Sequence, residues 1–348
     1  MKTPCLIFFM LFTIAKLTAM GDSTLARYQG AYNQLDSILQ YRTNKSFAQA
    51  VFLVENTYLN SRLTYQSFDS ELQQIVFLAE AWMAVNHIKN YKYPDSFNVL
   101  KNAGIYAILK DSITFDLPQA KITHLPYSYD FTDFDGTKDW CNMFVTKLFS
   151  THTGNCHSLP YLYKILADEL GATCWLALAP NHMYIKNRCK GGGWYNTELT
   201  SGTFPVDAWI MTSGYVTVEA VQHGIYMDTL SNQQSIALCA LDLAKEYEHQ
   251  TKNYYDGFII KCCDLSLQYF PLNVQAMLLK AETLKRVYER QANQKSPDAK
   301  DTYNEMQDLY LKLLDLGYQE MPDKMYQKWL LSVQKEKEKY TNKKIPAH

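Results

Sequence analysis

The reading turns on residues 154–198, "GNCHSLPYLYKILADELGATCWLALAPNHMYIKNRCKGGGWYNTE". In "SLPYLYKILADELG" the residues Leu159, Leu162, Leu166 and Leu170 recur at helical spacing, and Gly171 supplies the usual helix stop. "TCWLALA" is short and almost wholly apolar, as suits a buried strand. Pro180 and Asn181 make a turn, His182 opens a second strand, and "NRCKGGG" leads to a third that carries Glu198, because consecutive glycines tolerate positive φ. A helix followed by an antiparallel hairpin predicts an α+β core.

The same stretch holds the residue types of an acyl-transfer site. Cys156 stands at the mouth of the predicted helix, where amide N–H groups and the helix dipole favour a thiolate and offer themselves to an oxyanion. Pro160 lacks the N–H that would reach the Cys156 carbonyl, so an irregular first turn is expected. His182 is the base and Glu198 the acid that orients it. If the loop from Asn187 to Gly193 is centred on Lys190, His182 faces Glu198, Tyr184 faces Asn196 and Lys186 faces Trp194. His157 is the rival base and Asp207 the rival acid.

Together "GNCHSLPYLYKILADELGATCWLALAPNHMYIK" and "WYNTEL" resemble the transglutaminase-like branch of the papain-related cysteine hydrolases, including the SirB type. The resemblance covers residues 140–228. It implies a helix packed on a small antiparallel sheet, with Cys156, His182 and Glu198 as nucleophile, base and orienting acid, and Trp140 and Asn142, upstream of Cys156, as candidate second donors to the oxyanion. It also implies an exported bacterial protein, periplasmic or secreted, that hydrolyses or transfers acyl groups at amide bonds of a peptide or peptide-like substrate, without a cofactor.

Outward from this core the pattern is helical. Apolar residues three and four apart run through 22–110, and periodicity fades over 111–136, where "THLPYSYDFTDFDG" reads as loop. After Ser231, helices such as "GFIIKCCDLSLQYFP" and "VQAMLLKAETLKRVYERQ" resemble tetratricopeptide-type repeats with Pro271 and Pro322 at joints; a plain helical bundle is the alternative. The expected order is therefore an export signal (1–20), an N-terminal helical region (21–110), the core (111–230) and a helical region (231–348) able to hold a protein partner. Cutting near Ser231 is expected to leave the chain up to Asp228 folded. The run "QKEKEKYTNKK" reads as a solvated helix end.

Lys2, the apolar run Leu6–Ile14 and small residues around Ala19 make the export signal, too short for the roughly 20 apolar residues of a membrane helix. No later segment is long enough to span a bilayer. The charges nearly cancel, 34 basic against 35 acidic, which gives no basic face for nucleic acid. Seven of the eight cysteines lie beyond the signal, and an odd number leaves at least one unpaired. Their spacings contain no C-x-x-C, so no metal site is expected. A second reading of the whole chain is an inactive core serving as a binding or scaffold protein, since a fold alone does not settle a function.

Overall fold

Helix and strand patterning reappear in the structure, a computed structural model that describes residues 5–41, 46–117 and 120–336. The chain is mainly helical with small sheets. In order come α1 (Cys5–Gln40), α2 (Phe47–Tyr58), α3 (Tyr65–Val85), α4 (Ser96–Lys110), β1 (Ile113–Leu117), β2 (Ala120–His124) and β3 (Ser128–Tyr129). Next are a 3-10 turn (Trp140–Met143), α5 (Val145–Thr151), β4 (Thr153–Gly154), α6 (Ser158–Leu170), β5 (Trp175–Ala179), β6 (His182–Cys189), β7 (Gly193–Thr197), α7 (Asp207–Ser213) and α8 (Val218–Gln222). Last come α9 (Asn232–Thr251), α10 (Phe258–Tyr269), α11 (Val274–Asn293), α12 (Ala299–Asp315) and α13 (Asp323–Glu336).

By packing the chain forms two compact units, one from residues 1–63 with 236–311 and one from 64–235 with 312–348. This differs from the linear order expected from composition. Helical periodicity reports that a helix has a buried face, but not which distant helix covers it. In the first unit, Tyr28 of α1 is fully buried and meets Tyr247 of α9 and Phe258 of α10 edge-on, with ring centroids 5.1 and 5.9 Å away. Leu35 and Leu39 continue that buried face of α1. α1 and α2 thus belong with α10 and its neighbours, and a cut near Ser231 would part α1 and α2 from the helices that complete their core.

In the second unit α3, α4 and α6 pack together, and α6 lies against β5 and β6. α6 is buried nearly all round, which suits a helix at the centre of a core, and Gly171 caps it at φ 61°. β5, β6 and β7 form one antiparallel sheet in that order. The stretch 111–136, where periodicity fades, contains β1, β2 and β3, of which β3 and the end of β2 fall in the part expected as loop; β1 pairs antiparallel with β2, while β3 pairs parallel with β4. The overlooked strand signal at β3 was period two, with Tyr127 and Tyr129 buried on either side of exposed Ser128.

The expected export signal begins outside the described residues, and α1 runs continuously through the cut expected after Ala19. The lysine-rich run 334–344 lies outside them from residue 337 onward. Among the described residues no helix is long and apolar enough to cross a membrane.

Candidate functional site

Gly154 and Asn155 shape the approach to Cys156. Gly154 in β4 pairs with Tyr129 in β3, and a Cβ there would come within 2.6 Å of Leu148 Cδ2, so glycine lets the strand pass close to α5. Asn155 then turns the chain into α6. Its Oδ1 accepts from the amides of His157 (2.9 Å) and Ser158 (3.3 Å), its carbonyl accepts from Leu159 N (3.2 Å), and its Nδ2 donates to the Phe134 carbonyl (3.0 Å). Ser158 Oγ donates to the Asn142 carbonyl at 2.8 Å.

Cys156 therefore sits just before the first turn, but three of the amides expected to cradle an oxyanion, those of His157, Ser158 and Leu159, are already engaged. The first turn is irregular at Pro160, as expected: Leu159 N bonds the Asn155 carbonyl and Tyr161 N the His157 carbonyl, both at 3.2 Å, and between them Pro160 has no N–H for the Cys156 carbonyl. The continuous helix α6 accordingly starts only at Ser158, with Cys156 and His157 in the turn before it.

His182 enters β6 from the two-residue turn at Pro180 and Asn181, and Asn181 takes φ 53°, a conformation Asn tolerates. The Asn181 carbonyl also accepts from the Cys156 thiol at 3.8 Å.

The β6–β7 register differs from the expected one. Lys186 pairs with Asn196, Arg188 with Trp194 and Cys189 with Gly193, so the hairpin is centred on Gly191 rather than Lys190 and its loop is confined to residues 190–192. The reason lies outside the hairpin: Lys190 N donates to Asp95 Oδ2 (2.8 Å) and Gly191 N to Tyr91 Oη (3.1 Å). A Cβ on Gly191 would come within 2.7 Å of Tyr91 and 2.8 Å of Tyr93.

The slip is two residues, which preserves the face of every side chain. Glu198, just past the end of β7 and held by a bridge to Thr203, becomes a diagonal neighbour of His182 instead of its direct partner. Its carboxylate still reaches: Oε2 lies 2.5 Å from His182 Nε2, and Oε1 accepts from Thr200 N at 2.8 Å. Both side chains are buried.

The three groups are electrostatically coupled. Burial opposes charge on His182, but the Glu198 carboxylate, with help from Cys156, pushes its pKa up to about 10. Burial would raise Glu198, yet the His182 charge and hydrogen bond and the Thr200 amide hold it below the usual carboxylate value. Burial likewise opposes a Cys156 thiolate, and the hydrogen bond and charge of His182, with the Tyr326 hydroxyl, overcome it and lower the thiol. Glu198 occupies Nε2, which leaves buried Nδ1 as the nitrogen available to the thiol.

The rival residues point elsewhere. His157 Nδ1 bonds the Met143 carbonyl at 2.9 Å and its ring packs on Tyr161. Asp207 accepts from Asn196 Nδ2 at 2.7 Å at the start of α7. Asn142, a candidate oxyanion donor, spends its amide on Asp130 and Asp133 (3.2 and 2.8 Å) and so braces the 130–139 loop. Trp140 lies at the start of the same 3-10 turn.

Three aromatic residues at the site were not foreseen. The Tyr326 hydroxyl of α13 lies 3.3 Å from Cys156 Sγ, and Trp329, one turn on, sets its ring edge-on to His182 with centroids 4.4 Å apart. Both are buried, beside Phe134 and Trp209 respectively. Tyr129 is the third. Lys110 of α4, also unforeseen, is mostly buried and pins the acid's segment by donating to the Leu199 carbonyl at 2.9 Å. Tyr326 and Trp329 are four and seven residues after Pro322, where only a helical period was readable; nothing in that spacing points 170 residues back to Cys156.

None of the seven cysteines beyond residue 20 forms a disulfide among the described residues. Burial pushes Cys174 and Cys263 up to about 12 and Cys239 and Cys262 well up, the opposite of Cys156. Among the described residues no group of His, Cys, Asp and Glu is arranged to hold a metal ion. Comparison with protein-family models, curated proteins and solved structures finds no match.

Proposed function

We propose that this chain is an exported cysteine hydrolase or acyl transferase of transglutaminase-like type, acting at amide bonds of a peptide or peptide-like substrate. The observation that carries the reading is the buried His182–Glu198 pair, 2.5 Å apart, beside a thiol that His182 lowers, while burial raises the thiols of Cys174, Cys239, Cys262 and Cys263. Nucleophilic cysteines sit in such polarised, partly accessible surroundings, whereas structural ones are buried and inert.

In this reading Cys156 is the nucleophile, His182 the acid and base, and Glu198 the group that fixes the imidazole. The thiolate attacks the amide carbon, the S–C bond forms, and the carbonyl π pair moves onto oxygen. Collapse of that intermediate expels the amine, which takes its proton from His182, and leaves a thioester on Cys156. Water or a second amine then attacks the thioester as His182 removes its proton, and the C–S bond breaks to release the acyl product and return Cys156 to the thiolate. α13 has to move aside for a carbonyl to reach Sγ, because Tyr326 and Trp329 lie over the pair.

That cover favours the second reading, a sealed site in a protein that binds rather than reacts. One experiment separates them. Incubation with peptide and muropeptide libraries, followed by intact-mass analysis, is expected to show an acyl adduct or turnover that Cys156→Ala abolishes while leaving the melting temperature almost unchanged. Equal turnover by the two proteins removes Cys156 from the mechanism, and no adduct or turnover with any acyl donor favours the binding protein.

A further inference from the structure

An acyl-transfer site needs a donor for the oxygen that becomes negative, and the amides of His157, Ser158 and Leu159 are engaged by Asn155. Asn142 is engaged as well. We propose that the missing donor is the Tyr129 hydroxyl, which would hydrogen-bond the oxyanion formed when Cys156 attacks a carbonyl.

The inference rests on the acyl-transfer reading above and on three features of this residue. Its backbone is registered against Gly154, two residues before Cys156. Its ring is buried, 6% exposed, and packs on Phe131 with centroids 4.8 Å apart, so the phenol is held in place. Its hydroxyl oxygen is wholly buried without a hydrogen-bond partner of good geometry among the described residues. A buried hydroxyl left unpaired destabilises the fold, a cost that a ligand oxygen arriving in its reach would relieve.

The groups that act on Tyr129 are those of the site. Burial raises its phenol far above the ordinary value, and Cys156, Tyr326 and Glu198 all bear on it, so it remains protonated and able to donate. The Tyr326 hydroxyl, 3.3 Å from the sulfur, also bears on Tyr129 and stands near the place a carbonyl oxygen under attack would take. In the step itself Tyr129 keeps its proton. The S–C bond forms, the π pair localises on the oxygen facing Tyr129, and on collapse the C=O bond re-forms as the leaving group departs with the His182 proton.

The test compares two reactions of one thiol in the full chain. Acylation by an activated ester such as p-nitrophenyl acetate passes through an oxyanion; alkylation by iodoacetamide does not. Tyr129→Phe keeps the ring and removes only the hydroxyl. It is expected to slow acylation at Cys156 by roughly 10²–10³-fold, the usual effect of losing one oxyanion donor, and to leave alkylation within about twofold. Unchanged acylation, or an equal loss in both reactions, overturns the assignment of Tyr129 while leaving the acyl-transfer reading intact. Alkylation without any acylation of the unsubstituted protein overturns that reading and this inference with it.

Discussion

Glu198 shows what one methylene does at this site. His182 and Glu198 are diagonal rather than direct neighbours, and diagonal positions are about 7–8 Å apart, within reach of a long side chain. Aspartate is shorter by about 1.5 Å, one C–C bond, so Glu198→Asp is expected to lose the 2.5 Å contact and behave much like Glu198→Gln. Either change leaves a buried imidazole without its charge partner, which costs on the order of 3 kcal/mol.

The loss should depend on pH in a definite sense. His182 is raised from 6.5 to about 10, so its pairing stabilises fully below pH 6.5 and is lost as pH rises through about 10. Glu198 is lowered from 4.5, so its contribution is present above pH 4.5 and is lost as pH falls through its folded value. Both contributions are intact between pH 4.5 and 6.5. Thermal melts of wild type and Glu198→Gln should differ most in that window and converge toward about pH 10, whereas a constant difference throughout would show that no charge pair is involved. The Cys, His and Glu were legible from residue type and order because their chemistry is local. Tyr129 and Tyr326 were not, since a tyrosine reads as core until its hydroxyl is placed.

The β6–β7 hairpin, as an element, was legible in its face but not in its register. Glycine marks the turn and period two fixes which side chains share a face, while the centre is set by Asp95 and Tyr91, far away in sequence. Gly154→Ala should therefore disturb the thiol without touching it chemically. The added Cβ meets Leu148 and the Ser158 hydroxyl, costs about 1–3 kcal/mol by overpacking, and displaces the turn that carries Cys156. Melting and Cys156 alkylation should both fall; an unchanged alkylation rate would mean the turn absorbs the methyl group. α13 is the element that periodicity alone could not place. Ending the chain at Glu320 removes Tyr326 and Trp329 together, and should raise the high-pH alkylation rate of Cys156 roughly tenfold, which corresponds to about 1.4 kcal/mol of cover. The same truncation should move the midpoint of the profile upward, because Tyr326 helps to lower the thiol. A plateau that stays level or falls would show that α13 does not obstruct the sulfur.

For the whole molecule, the α+β character and the helical flanks were readable from periodicity, and the division into units was not. Tyr28, Leu35 and Leu39 look the same in sequence whether their face is covered by α3 or by helices 200 residues later. The fold places them against the later helices, so deleting residues 22–63 should unfold 236–311 and not only remove α1 and α2. Hydrogen exchange resolves the two outcomes: loss of protection across α9 to α11 is expected, and full protection there would show a self-sufficient C-terminal bundle.

The central claim is that His182 and Glu198 make Cys156 a nucleophile. It is tested most directly by the pH dependence of iodoacetamide alkylation, followed peptide by peptide in the unsubstituted chain and in His182→Ala. A Cys156 midpoint below the ordinary thiol value of 9.0 is expected, with an upward shift in His182→Ala and no comparable labelling of Cys174 or Cys263. A Cys156 midpoint at or above 9.0, unmoved by the loss of His182, would contradict it.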